Sequence, residues 1–194
     1  MEILIYVSKI TNRLFYIIEL ILKEELGISF KFTTDKEKYL SHEGPKMHYG
    51  KSPLENDNGL FLQSVNLLFE RDIADQDVKL CKYNDTKAIF PVFNDNSILP
   101  FDVLAASFYI ITRYEEYLPH VSDQYNRFQP QDSILYKMET FETPIINVWA
   151  KELGEIITSK YPDIQLKKKT FKFIPTYDID AAWAYRNKGL FRTT

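Results

Sequence analysis

The start of the chain shows the pattern of a strand, then of a helix, then of a second strand. Residues 2–7 (EILIYV) are apolar and rich in β-branched side chains, as in a buried strand. Thr11 provides N-cap chemistry for residues 14–22, in which apolar side chains recur at helical spacing. After Gly27, a residue typical of helix ends, residues 28–34 alternate like a second strand. A strand, a helix and a strand in succession favour a parallel pair within an α/β sheet.

Further elements are predicted downstream. Asp102 should cap a helix that ends near Tyr117, and apolar spacing after Thr143 predicts a last helix that ends before Pro162. Residues 88–93 (AIFPVF) predict a short buried or edge strand, whereas residues 59–69 fit a strand or a helix equally well. We therefore expect an α/β fold with a central sheet, at least partly parallel, and helices on its faces.

Composition excludes several classes of protein. The 24 Lys and Arg against 27 Asp and Glu give a formal net charge of -3, so nucleic acid is not an expected partner. The six glycines are dispersed, which leaves no glycine-rich phosphate loop. The apolar residues 14–22 include Glu19 and lead into Lys23, so we expect neither a signal peptide nor a membrane span. With the single cysteine, Cys81, this favours a cytoplasmic location.

Two carboxylates follow a strand that is predicted at residues 171–177. Side chains alternate along a strand, so Asp178 and Asp180 should project together from its carboxyl end. Such a pair suits a divalent cation, or a division into a base and a metal ligand. Acidic residues also follow strands as turn formers or helix caps, and spacing alone favours that interpretation.

A second polar group follows the predicted helix at Asp102. Arg113 and Glu116 are three residues apart and can pair on a helix, with Glu115 and His120 nearby. These four residues could form a polar cleft for a sugar or a carboxylate. A surface ion pair at a capped helix end explains the same pattern and is favoured. His42, His48 and His120 lie in loop-like regions, so we expect surface side chains rather than metal ligands.

Several segments resemble a known family. Residues 173–180 (FIPTYDID), with residues 181–183 and 188–189, resemble the first motif of bacterial polysaccharide deacetylase-like proteins, the NodB-homology or carbohydrate esterase family four group. Four upstream segments resemble the uncharacterised N-terminal domain that precedes the deacetylase-like domain: LPFD (99–102), AASFY (105–109), RYEEY (113–117) and NVWAK (147–151). The upstream likeness covers nearly the whole chain, and the deacetylase-like portion covers about the last twenty residues.

The resemblance implies roles for the two aspartates. In that family the first motif is Thr-Phe-Asp-Asp, with a general base followed by a ligand of a divalent metal such as zinc. By position, Asp178 is the implied base and Asp180 the implied ligand, although Ile179 separates them here. The family's His-x-x-x-His pair has no counterpart in this sequence, and its (β/α) barrel needs many more strands.

These differences lead to an expectation about domains. Residues 1–168 should form a non-catalytic accessory domain, and residues 169–194 should start a deacetylase-like domain that is cut after its first strand. We expect the chain alone to be inactive and to hold no cofactor, while a longer parent is a metal-dependent hydrolase of an acetylated glycan. The expected partners are that catalytic domain, a glycan and a second copy of the chain.

Two other functions remain open at this point. One is a small-molecule binding module for a nucleotide-sugar or a sugar phosphate, using the loops after Val7 and Thr34. The other is a purely structural or dimerising domain.

Overall fold

A four-stranded parallel sheet is the centre of the fold. The computed structural model of the protein describes residues 2–178. The strands are β1 (Glu2–Tyr6), β2 (Ser29–Thr33), β3 (Lys46–Gly50) and β4 (Leu60–Gln63). They lie in the order β2-β1-β3-β4, and every neighbouring pair is parallel. The predicted α/β class with a parallel central sheet is confirmed.

The predicted strand-helix-strand start is also confirmed. Helix α1 (Asn12–Ile18) begins where the Thr11 hydroxyl accepts a hydrogen bond from the backbone N–H of Leu14, and a π-helical segment (Glu19–Glu25) continues it. Gly27 then adopts a φ of 75°, and a Cβ at this position would lie 2.8 Å from Lys167 Cβ. Only glycine combines that backbone conformation with so close an approach, and the chain turns there into β2.

The two helical connections, from β1 to β2 and from β2 to β3, cover opposite faces of the sheet. On the α1 face, the Phe15 ring packs 6.0 Å from that of Phe30 on β2. On the other face lies α2 (Lys36–Leu40), where the Tyr39 ring is 5.4 Å from that of Tyr6 on β1. Because β2 and β3 flank β1 on opposite sides, the order of the strands reverses between β1 and β3. In open parallel sheets, such a reversal leaves a crevice outside the carboxyl ends of the strands.

Three further helices complete the core. They are α3 (Val103–Ile111), α4 (Ile134–Met138) and α5 (Ile145–Lys160). Asp102 caps α3 as predicted, but α3 ends at Ile111 rather than near Tyr117 because Arg113 takes a left-handed φ of 51°. A 3-10 turn over Tyr114–Tyr117 follows. Helix α5 agrees with its prediction, and its Trp149 is fully buried against Phe101.

Only the first two residues of the strand predicted at 88–93 lie in a strand, and they end the second strand of a hairpin. Strands β5 (Leu80–Tyr83) and β6 (Thr86–Ile89) pair in antiparallel fashion. Strand β6 ends at Ile89 because Phe90 has a φ of 60°, which takes the chain out of the extended conformation.

The chain after Lys169 separates from this body. Among residues 2–178, the most C-terminal backbone hydrogen bond runs from the N–H of Lys167 to the carbonyl of Leu26. Residues 171–177, which the sequence predicts as a strand, form no helix or strand and pair with no strand within residues 2–178. Between Glu2 and Asp178, no helix is both long and apolar enough to cross a membrane.

Candidate functional site

The structure describes only one of the two aspartates of the deacetylase-like motif. Asp178 is exposed in the segment that follows the body, and Asp180 lies outside the described residues. Within residues 2–178, no three side chains of His, Cys, Asp or Glu are grouped so that they could hold a metal ion. The described donors therefore do not fit the metal that the resemblance implies, and such an ion needs ligands from outside this range.

The residues of the predicted polar cleft have separate contacts. Arg113 Nε donates to Glu116 Oε1 at 2.5 Å, which is the predicted ion pair. Glu115 accepts a hydrogen bond from the N–H of Ile134 at 2.8 Å, at the start of α4, and burial raises the pKa of this carboxyl. His120 Nδ1 contacts the carbonyl of Leu118 within its own loop. In the described structure these contacts do not join the four residues into one network.

A cavity at the carboxyl end of β1 is a stronger candidate. Its volume is about 400 Å³, and most of its lining comes from the loop between β1 and α1 and from the first residues of α1. The lining residues are Lys9, Ile10, Thr11, Asn12, Arg13, Glu70 and Arg71. The loop after Thr34, which is the other loop suggested by the sequence, does not line it.

Arg13 joins the two sides of this cavity. Its guanidinium donates to the carbonyls of Leu67 at 2.9 Å, Arg71 at 3.2 Å and Asp72 at 3.0 Å. The same group lies 5.6 Å from the ring centre of Phe108 and 5.5 Å from that of Tyr114. These contacts hold the segment after β4 against α1 and fix the position of the Arg13 charge.

A buried carboxylate braces the neighbouring strand ends. Asp102 Oδ2 accepts hydrogen bonds from the hydroxyl of Tyr49 and from the N–H of Val65, both at 2.7 Å, and Oδ1 accepts from the N–H of Ala105 at 3.0 Å. Asp102 is fully buried, and this burial raises its pKa to about 6. The contacts tie β3, the segment after β4 and the first turn of α3 together next to the cavity.

Comparison with known proteins gives one result. A family model described as "Family of unknown function (DUF7033)" matches residues 3–162. The chain belongs to this family. No curated protein and no solved structure matches it. The DUF7033 region includes the parallel sheet except its first residue, Glu2, and ends just after α5, so the exposed segment from residue 170 lies beyond it.

The DUF7033 sheet also buries a histidine that the sequence predicts on the surface. His48 is 4% exposed on the α2 face, with the rings of Tyr6 and Phe61 each 5.2 Å away. Its Nδ1 has no hydrogen-bond partner in the described structure. Burial lowers the pKa of His48 to about 4, although nearby Asp57 acts in the opposite direction. The surface prediction is wrong because β3 is covered on both faces.

Sequence reasoning missed the cationic lining of the cavity. Lys9 and Arg13 flank the loop after the first predicted strand, and their position at a strand-to-helix crossover was the available signal. Arg71 had no such signal, because it lies 58 residues away in the sequence and its contact with Arg13 is a tertiary hydrogen bond.

Proposed function

We propose that the DUF7033 region is a non-catalytic accessory domain of a polysaccharide deacetylase-like hydrolase. In the longer parent, the catalytic domain begins near residue 169 and acts on an N- or O-acetylated glycan. Asp178 is the base and Asp180 a ligand of the divalent metal that the resemblance implies. The accessory domain holds the first catalytic strand in a defined place.

The observation that carries this proposal is the exposure of the segment after Lys169. Phe171, Phe173, Ile174 and Tyr177 are between 73% and 93% exposed. Burying a large apolar side chain contributes about 1.5–3 kcal/mol, so a run of exposed ones favours a partner surface. Phe173, Ile174 and Tyr177 belong to the deacetylase-like motif, and a first strand inside a barrel would cover them.

The attachment of this segment supports a positioning role. Lys167 donates from its N–H to the carbonyl of Leu26 at 2.8 Å, and its Nζ donates to the carbonyl of Glu24 at 3.0 Å. Lys169 pairs with Glu25. The chain therefore leaves the body at a fixed point beside the π-helical segment, and a following domain begins from that point.

Acetate release tests the proposal directly. The 194-residue chain and a longer protein, in which it is followed by the rest of the deacetylase-like domain, are each assayed with Zn²⁺. The substrates are an N-acetylated and an O-acetylated oligosaccharide. We expect release only from the longer protein. In that protein, Asp178→Asn should reduce the rate by about 100-fold or more, as loss of a general base does.

A matched variant controls for the loss of charge. Asp163→Asn removes an exposed carboxylate near the end of the body and should leave the rate unchanged. Acetate release by the short chain would contradict the non-catalytic role. An unchanged rate in the Asp178→Asn protein would remove the assignment of the base.

A further inference from the structure

We propose that the cavity at the carboxyl end of β1 binds a phosphate group of a small molecule. The chemical class is a sugar phosphate or a nucleotide-sugar. Lys9, Arg13 and Arg71 bind the phosphate oxygens, and the side-chain amide of Asn12 adds a neutral donor.

The position of the cavity supports ligand binding. Strand β1 borders β2 on one side and β3 on the other, and the chain crosses on opposite faces of the sheet to reach them. Loops therefore diverge at the carboxyl end of β1, which is where open parallel sheets commonly bind ligands. The volume of about 400 Å³ falls within the range of small-molecule sites.

The charges around the cavity select an anion. Lys9, Arg13 and Arg71 all line the cavity, and none of them forms an ion pair with a carboxylate among residues 2–178. The single acidic lining residue, Glu70, already accepts a hydrogen bond from Gln76 Nε2 at 2.9 Å. Three cations therefore face one carboxylate, and an anionic ligand would compensate the excess positive charge.

Arg13 is ordered before any ligand arrives. Its three contacts with backbone carbonyls and its two neighbouring rings restrict the side chain. These contacts use only part of the N–H donors of the guanidinium, so donors remain for a phosphate oxygen. A group that is already fixed loses little conformational entropy on binding, which favours affinity for a small ligand.

Isothermal titration calorimetry with three probes tests the site. The probes are inorganic pyrophosphate, glucose 1-phosphate and UDP-N-acetylglucosamine, titrated into the 194-residue chain. We expect at least one to bind, and Lys9→Gln or Arg71→Gln should each weaken the Kd by about 10-fold. The probe that binds most tightly identifies the source of the phosphate. In Arg71→Gln the backbone carbonyl that accepts from Arg13 is retained, so lost affinity reports on the side chain.

The control removes a similar charge elsewhere. Lys82→Gln, on the exposed face of the hairpin, should leave the Kd unchanged. Amide NMR shifts on titration should concentrate at residues 8–13. If no probe produces heat at millimolar concentration, or if Arg71→Gln behaves like Lys82→Gln, the proposal is wrong. Either failure leaves the acetate assay, and with it the accessory-domain proposal, unaffected.

Discussion

Two adjacent residues of β3 have opposite polar environments. Tyr49 lies on the face toward α3 and donates its hydroxyl proton to Asp102 at 2.7 Å. His48 lies on the face toward α2, and its Nδ1 has no partner in the described part of the chain. Both side chains are almost completely buried. Burial alone therefore does not distinguish the two faces, whereas the supply of hydrogen-bond partners does.

The difference predicts two kinds of behaviour. A buried polar group with all its partners restrains the elements that it joins, and its loss leaves several groups unpaired. A buried histidine without a partner stays neutral and makes that face sensitive to acid. The α3 face should therefore lose the most stability on mutation, whereas the α2 face should lose stability at low pH.

Removal of the Asp102 carboxylate should have the largest effect. Asp102→Ala leaves the Tyr49 hydroxyl and the N–H groups of Val65 and Ala105 without their acceptor. We expect a loss of about 3–5 kcal/mol in the free energy of unfolding, measured by urea denaturation followed by circular dichroism. Asp102→Asn keeps an acceptor oxygen and should lose less. An Asp102→Ala protein as stable as the native chain would show that this network does not brace the sheet.

Acid should destabilise the α2 face through His48. Its pKa is about 4 in the folded protein and about 6.5 when unfolded, so the folded state disfavours the proton. The stability from neutral His48 is present above pH 6.5 and is lost as the pH falls toward 4. Relative to His48→Leu, the native chain should lose about 2 kcal/mol of stability between pH 7 and 4.5, measured by urea denaturation. His48→Leu should abolish this component, and an equal loss in that variant would contradict the assignment.

Asp102 should give a pH dependence of the opposite sign. Its pKa is raised to about 6 in the folded protein from about 3.9 in the unfolded chain, so the folded state favours the proton. Its contribution is greatest below pH 3.9 and is lost as the pH rises through 6. Relative to Asp102→Asn, the native chain should gain about 1.5 kcal/mol between pH 7 and 4.5. A constant difference between the two proteins across this range would count against the raised pKa.

Local interactions account for what the sequence could predict about the fold. The Asp102 cap, the Thr11 cap and the start of α5 depend on residues within one or two helical turns, so spacing identifies them. The bond from Tyr49 to Asp102 joins residues 53 positions apart, and no local pattern encodes it. The prediction for His48 was wrong for a related reason. Polar Lys46 and His48 alternate with Met47 and Tyr49 as on a half-exposed strand, and only the packing of distant residues buries the polar side.

The candidate site was also predictable only where it depends on residues close together in the sequence. Lys9 and Arg13 lie beside a predicted strand-to-helix crossover, so the loop after Val7 could be proposed as a binding loop. Arg71 is brought there by a hydrogen bond between residues 58 positions apart, and only the three-dimensional structure provides that contact. The uncompensated charge of the cavity is likewise a property of the folded chain.

The smallest predicted effect compares two tyrosine hydroxyls, one on each face. Tyr49→Phe removes a buried hydrogen bond to Asp102 and should cost about 1 kcal/mol in the free energy of unfolding. Tyr39→Phe removes a partly buried hydrogen bond to Asp57 on the α2 face, where water can replace the lost donor, and should cost about 0.5 kcal/mol. Urea denaturation at pH 7 measures both variants. Equal losses would mean that the two tyrosine hydrogen bonds contribute equally to stability. The difference between the two faces would then depend on His48 alone.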